Sequence, residues 1–317
     1  MARALGTNAR ILLALESSYG TAPASGSYWL MPIISTDLGG EQALQDDDTL
    51  GLGRDPQAPT YDVLKVGGQI VVPLDLQALG YWLKLALGAP TTTGSTNYTH
   101  TFVSGGTTQV SATIEIGYPD LGAYFLCKGC VVASMQFSVG RSGAPQATLQ
   151  IMAQNEVKSG STVDASPDTL TLTRFHKFQG NIKRNGSSLA NLVSGDLTYA
   201  NSAESVETVR ADDLVEAIDF GMSKLSGSLV ARFAATTLHD DAVAQTAIDI
   251  DYIWTIDSNN SLTLATQSAY LPRAKRSVSG PGGVEATYAW QGALDTGEGE
   301  MLEVVLKNTK ATYVNAA

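Results

Sequence analysis

Residues 35–79, STDLGGEQALQDDDTLGLGRDPQAPTYDVLKVGGQIVVPLDLQAL, are echoed without a gap by residues 194–238, SGDLTYANSAESVETVRADDLVEAIDFGMSKLSGSLVARFAATTL. Sliding the first stretch by 159 positions (35 to 194) puts Ser35, Asp37 and Leu38 on Ser194, Asp196 and Leu197. Thr49 falls on Thr208, Lys65 on Lys224, Gly68 on Gly227, Val71 on Val230 and Leu79 on Leu238. A second echo links SVGRSGAPQATLQIMAQ (138–154) to SVSGPGGVEATYAWQGA (277–293), at an offset of 139. The first offset is within one residue of half the 317-residue length. Internal periodicity of this kind predicts two tandem copies of one unit, the second shorter between its two echoes. The competing reading is chance similarity in a chain rich in Gly, Ser, Thr and Ala.

The pattern of the quoted stretch is β-rich. Gly68–Leu76 alternates apolar residues as a strand does, and Gln77–Leu87 places Leu79, Leu83 and Leu87 on one helical face before Gly88 stops it. In the second copy Leu225–Ala234 and Thr237–Ala247 repeat this strand–helix pair. Further strands are expected at Trp29–Leu38, Tyr98–Val103, Ser111–Tyr118, Tyr124–Val139 (broken near Lys128–Gly129) and Ala147–Asn155. Others are expected at Thr169–Phe178, Gly180–Arg184, Ala190–Ala200, Ile248–Ile256, Leu262–Thr266, Ala286–Leu294 and Met301–Lys307. Turns are read at Arg141–Ser142–Gly143, Asn185–Gly186 and Gly280–Pro281–Gly282–Gly283, and Lys310–Ala317 as a tail. The small, polar run 156–168 reads as a linker, dividing the chain into units 1–158 and 159–317. Residues 39–64 and 201–221 read as long acidic loops at equivalent places. Loops that long are usually functional or ordered by a partner.

Composition limits the function. Charged residues make up only 16% and the net charge is −11. The first unit has 8 basic and 12 acidic residues (−4), the second 12 and 19 (−7). No basic run is long enough for a counterion-releasing DNA site, although an acidic wall suits DNA that passes without sticking. Lys183–Arg184 and Arg273–Lys275–Arg276 read as exposed hairpin or interface charges. Cys127 and Cys130, in strand-like LCKGC, read as reduced structural thiols. No signal peptide and no membrane-length apolar stretch are found, so a soluble protein is expected.

No phosphate loop, zinc motif or nucleophile elbow is present, and neither a cofactor, a metal nor an enzymatic activity is expected. Asp46–Asp48 lacks the spacing of a calcium loop. His239–Asp240–Asp241 reads as helix-end solvation, and Asp249 and Asp251 as one charged face of a strand.

The opening brings a resemblance. Ile11–Leu15 leads into Glu16, Ser17, Ser18, Tyr19, Gly20, Thr21, Ala22 and Pro23. This is similar to the start of tail tube proteins of long, non-contractile-tailed bacteriophages, where an apolar strand precedes E-[ST]-x-Y-G-T-x-P. Glu16, Ser17, Tyr19, Gly20, Thr21 and Pro23 match that motif. The resemblance implies a mainly β fold: two tandem tail-tube-type β-sandwich or barrel domains, each with one flanking α-helix. It implies a virion tail protein, made in the bacterial host cytoplasm, whose rings stack head to tail into a hollow tube conducting DNA into the host. Its partners would be itself, a tape measure protein inside, terminator and tip proteins at the ends, and phage DNA passing without specific binding, with no membrane.

If the common ring has six units, two units per chain imply a homotrimeric pseudo-sixfold ring. The alternative is a homohexameric ring with only one unit lining the lumen. The equivalent loops supply the inter-ring contact candidates: Asp46, Asp47, Asp48 and Arg54 in the first, Glu204, Glu207, Arg210, Asp212 and Asp213 in the second. Two other classes compete: a binding module (receptor-binding tail protein, capsid decoration protein or adhesin) and a two-domain β-rich hydrolase.

Overall fold

Strand β1 (Arg10–Leu15) is apolar on both faces because both faces are covered. Ile11, Leu13 and Leu15 enter the main core, while Leu12 and Ala14 pack with Tyr28 in a small second cluster. The computed structural model describes residues 3–51, 53–140, 143–276 and 283–316. The turn expected at Arg141–Ser142, most of that at Gly280–Gly283, and the start of the 277–293 echo lie outside them.

The chain continues with β2 (Trp29–Met31), β3 (Ser35–Thr36), β4 (Gly39–Gln45), β5 (Thr60–Pro73), helix α1 (Leu79–Leu87) and β6 (Thr91–Gly94). Next come β7 (Tyr98–Val103), β8 (Ala112–Tyr118), β9 (Ala123–Gly140), β10 (Gln146–Ala153), β11 (Asn155–Ser159) and β12 (Asp168–Thr169). The second half holds β13 (Gly180–Arg184), β14 (Ser187–Ser188), β15 (Leu192–Ala200), β16 (Ala203–Val206), β17 (Ala217–Phe220) and β18 (Lys224–Arg232). It ends with helix α2 (Thr237–Ala244), β19 (Ile248–Asp257), β20 (Asn260–Tyr270), β21 (Glu285–Gly292) and β22 (Leu302–Asn308).

One strand order occurs twice. In the first half it is β1–β8–β9–β10–β5–β3/β4, and in the second β13–β19–β20–β21–β18–β15. Register recurs at the two sequence offsets. Ser35 faces Val71 and Ser194 faces Val230. Thr148 faces Val71 and Thr287 faces Val230. Met152 faces Val131 and Gln291 faces Tyr270. A one-residue slip would turn every side chain to the opposite face, so shared register means shared inward and outward positions. The two sheets are continuous through β9–β15, and β22 links β20 to β7.

Helix α1 starts where buried Asp75 accepts hydrogen bonds from the N–H groups of Gln77, Ala78 and Leu79, and ends at Gly88 with φ 95°. Its Tyr81, Trp82 and Leu83 are fully buried, as are Trp254 and Trp290 in the second half. Tyr28 is likewise a core side chain.

Several local expectations are corrected. The loop read at 39–64 contains β4 and the start of β5, and that at 201–221 contains β16 and β17; both are hairpins with tips at 46–59 and 207–216. Pro32, which cannot donate to a ladder, interrupts the strand expected over Trp29–Leu38. Thr169–Phe178 is a strand only at Thr169, Thr91–Gly94, where no strand was expected, forms β6 against β7, and β9 runs on through Lys128–Gly129, where Gly129 takes φ 64°. The stretch read as a linker opens as β11, paired with β9. The supposed tail is tied down: Tyr313 is buried, and Asn315 exchanges two hydrogen bonds with the backbone of Leu15.

Candidate assembly surfaces

The two hairpin tips carry most of the proposed contact residues. Asp46, Asp48 and Arg54 are exposed, and Asp47 is half-buried, its carboxylate accepting from the backbone and hydroxyl of Thr49. Glu204 lies on β16 facing Asp219 of β17, two pairs below the last pair at the second tip. Glu207 and Arg210 are exposed at that tip. Arg210 donates two hydrogen bonds to Asp212 at 2.8 and 3.0 Å, holding that carboxyl below its usual range and the guanidinium above its own. Asp213 is engaged within the chain: its carbonyl accepts from Leu64 N–H at 2.8 Å and its carboxylate from Gln42 Nε2 at 3.0 Å. The second tip therefore leans on the base of the first hairpin.

Sequence reasoning passed over the apolar residues at these tips. Leu50 is 93% exposed and Val209 fully exposed, and the 159 offset superimposes them. Leu44 and Tyr61, paired lower on the first hairpin, are also exposed. A lone exposed aliphatic residue is ordinary. Two at equivalent hairpin tips form a pattern, and the signal was an aliphatic side chain following the matched Thr49 and Thr208.

Of the motif residues Glu16, Ser17, Tyr19, Gly20, Thr21 and Pro23, all but Ser17 form a structural lock. Glu16 accepts four hydrogen bonds: from Gly20 N–H (2.8 Å), Ser111 Oγ (2.7 Å), Thr113 Oγ1 (2.7 Å) and Gly129 N–H (2.8 Å). The carboxylate thus ties the N-terminal segment to β8 and to the bend in β9. Gly20 has φ +72°, and a Cβ there would lie 2.1 Å from Gln154 Oε1. Thr21 N–H donates to Ser18 O, and Pro23 O accepts from Tyr28. Tyr19 lies against Gly129, while Ser17 is exposed.

The remaining polar groups serve packing. Cys127 and Cys130 are free and buried. Burial, with Glu156 nearby, pushes the Cys127 thiol up to about 12, and burial drives Cys130 further in the same direction. Asp241 is not helix-end solvation: it receives a bidentate contact from Arg184, which ties α2 to β13. Lys183 lies opposite Asp251, whose carboxyl burial raises. No group of three or more His, Cys, Asp or Glu is placed to hold a metal among the described residues. None of the helices described is long and apolar enough to cross a membrane.

Two further features complete the surface. β4 is exposed from Gly40 onward, and Leu271–Arg276, just past β20, belongs to no strand and has no strand partner among the described residues. The profile of a family described as phage tail tube protein matches residues 6–292. No curated protein matches the sequence.

Proposed function

The chain belongs to the phage tail tube protein family and is a structural component of the virion tail, and from that premise we propose that it polymerises as stacked rings into the hollow tube through which DNA leaves the virion. The observation that carries this reading is the continuous sheet through β9–β15, which joins two register-matched sheets within one chain. A sheet that already continues from one unit to the next can continue from chain to chain, and closing it around an axis removes exposed edges.

On this reading the chain is a tandem duplication, with units 1–158 and 159–317, and three chains make a pseudo-sixfold ring. Support comes from the repeated strand order and from registers conserved at offsets 159 and 139. A six-chain ring with one unit lining the lumen is the alternative, and rotational averaging of end-on tube views separates the two. Rings stack head to tail, an open heterologous contact. The hairpin tips with Asp46–Asp48, Arg54, Glu207, Arg210 and Asp212 make that contact, with Leu50 and Val209 as its apolar centre. Asp213 ties the second hairpin to the first, and Glu204 adds an exposed carboxylate beside that tip. Tape measure, terminator and tip proteins are the expected companions, and the protein performs no catalysis.

Negative-stain microscopy of the purified protein over a concentration series tests the reading. Regular hollow tubes above a critical concentration are expected. Discrete particles at every concentration would overturn it.

A further inference from the structure

The seam inside the chain is a template for a seam between chains. β9 and β15 pair antiparallel from Ser134↔Ala200 to Gly140↔Ser194. At the offsets of 159 and 139, the counterparts of these paired residues are 35–41, spanning β3 and the start of β4, and 273–279, of which 273–276 are described and follow directly on Leu271 and Pro272. Gly40 is exposed where its counterpart Tyr199 is buried, paired with Met135 of β9. Residues 271–276 form no strand, whereas their counterparts 132–137 are strand between β10 and β15.

We infer that residues 271–276 of one copy add as an antiparallel strand to β4 of the next copy, in the register of β9–β15. Carrying the pairs across places Arg276 opposite Leu38, Lys275 opposite Gly39, Ala274 opposite Gly40 and Arg273 opposite Glu41. This rests on the tube reading and specifies its lateral contact.

Three observations support the register. The first is charge. Arg273, Lys275 and Arg276 sit within six residues, while Asp37, Glu41 and Glu156 surround the β4 edge. The β9 counterpart, SMQFSVG (134–140), carries no charge. A tethered internal seam needs no steering, whereas complementary charge selects partner and register between separate chains. The second is Pro272. Its counterpart Ala133 is the residue skipped by the β9–β10 pairing between Ser134 and Val132. A bulge is one of the few places where a sheet accepts proline.

The third is the hydrogen-bonding edge of Gly40. Asn201 N–H donates to Ala133 O at 2.8 Å, so alternation gives Tyr199 to the same inter-strand ladder. Gly40, the counterpart of Tyr199, therefore directs its N–H outward, and it donates to Glu156 Oε2 at 3.1 Å. In the seam the carbonyl of the neighbour's Ala274 takes that N–H, and Glu156 is released toward the neighbour's Lys275. The carboxylate guards the edge in the free chain, where an open strand would invite wrong pairings.

Paired cysteines test the register. Glu41 and Arg273 would form a non-hydrogen-bonded pair, about 4.5 Å apart at Cα, within disulfide range. The double variant Glu41→Cys/Arg273→Cys is oxidised after assembly and run without reductant, beside the off-register Gln42→Cys/Arg273→Cys. The native thiols are buried and do not compete. Covalent multimers from the first pair only are expected. If tubes form but the first pair stays monomeric, or both pairs link equally, the seam is wrong and the tube reading stands. If tubes fail but the first pair still links smaller oligomers, the seam stands without the tube; if neither appears, both fall. As a second arm, Glu41→Arg should raise the critical concentration about tenfold, and Glu41→Arg/Arg273→Glu should restore it. Absence of rescue would also overturn the register.

Discussion

Tyr313 lies so close to Gly80 that a Cβ on the glycine would fall 2.0 Å from its ring carbon. The contact holds the C-terminal segment under α1. Tyr81 donates to Val314 O and Lys84 to Tyr313 O, both at 2.8 Å, and the Tyr313 hydroxyl accepts from Asn308 at 2.7 Å. Helix propensity alone favours Gly80→Ala by about 1 kcal/mol. The overlap reverses this, and a net loss of about 1–3 kcal/mol is expected in urea unfolding. In a Tyr313→Ala background the same substitution should turn neutral or stabilising. A loss of equal size in both backgrounds would show that Tyr313 is not the obstacle.

Leu50 and Val209 should matter to the polymer and not to the subunit. Both are exposed, so Leu50→Ser and Val209→Ser leave the unfolding midpoint within about 0.5 kcal/mol of the parent. Each removes an apolar anchor worth about 1.5–3 kcal/mol when buried between rings, which raises the critical concentration roughly 10- to 100-fold. Light scattering measures this. Unchanged polymerisation by the double variant would remove these residues from the stacking contact.

Glu16 should be needed for stability. Glu16→Ala leaves two backbone N–H groups and two hydroxyls without their acceptor, at an expected cost of about 2–4 kcal/mol. Glu16→Gln keeps one oxygen but turns an amide donor toward other donors, so an intermediate loss is expected. Thermal melts of the monomer compare the three proteins. A motif used only in contacts between chains would leave these melts unchanged.

The buried thiols make stability fall on the alkaline side. The folded chain holds the Cys127 proton more tightly than the unfolded chain, up to about 12 against an ordinary value near 9. This stabilisation is complete below about pH 9 and is lost as pH rises toward 12. Burial raises the Tyr28, Tyr81 and Tyr313 hydroxyls in the same direction. The urea midpoint should therefore drop between pH 8 and 10.5, and drop less in Cys127→Ala/Cys130→Ala. At pH 8 both thiols should react with a disulfide reagent only after unfolding. Rapid labelling of the native protein would contradict this.

Strong local periodicity made much of the fold legible. Tyr98–Val103 alternates and lies between turns, and the structure has a strand with those bounds. Leu79, Leu83 and Leu87 marked α1, and Asn185–Gly186 marked a turn that the structure makes with φ 47° and 75°. Thr91–Gly94 had no such signal, because its strand forms only against β7. The anchoring of Tyr313 was illegible for the same reason: its site is assembled from α1 and β22, which are distant in sequence. Acidic residues drew attention at the hairpin tips because charge is conspicuous in composition. Exposure of Leu50 and Val209 is a property of the folded hairpins.

From sequence alone came the two offsets, the strand–helix unit and the motif from Glu16 to Pro23, all of which live in local order along the chain. Tertiary structure decided what pairs with what. Hydrogen-bond register between distant strands is a collective outcome of packing, so only the folded chain placed Ser35 on Val71 and Ser194 on Val230. It alone joined β9 to β15 and left β4 with an exposed edge.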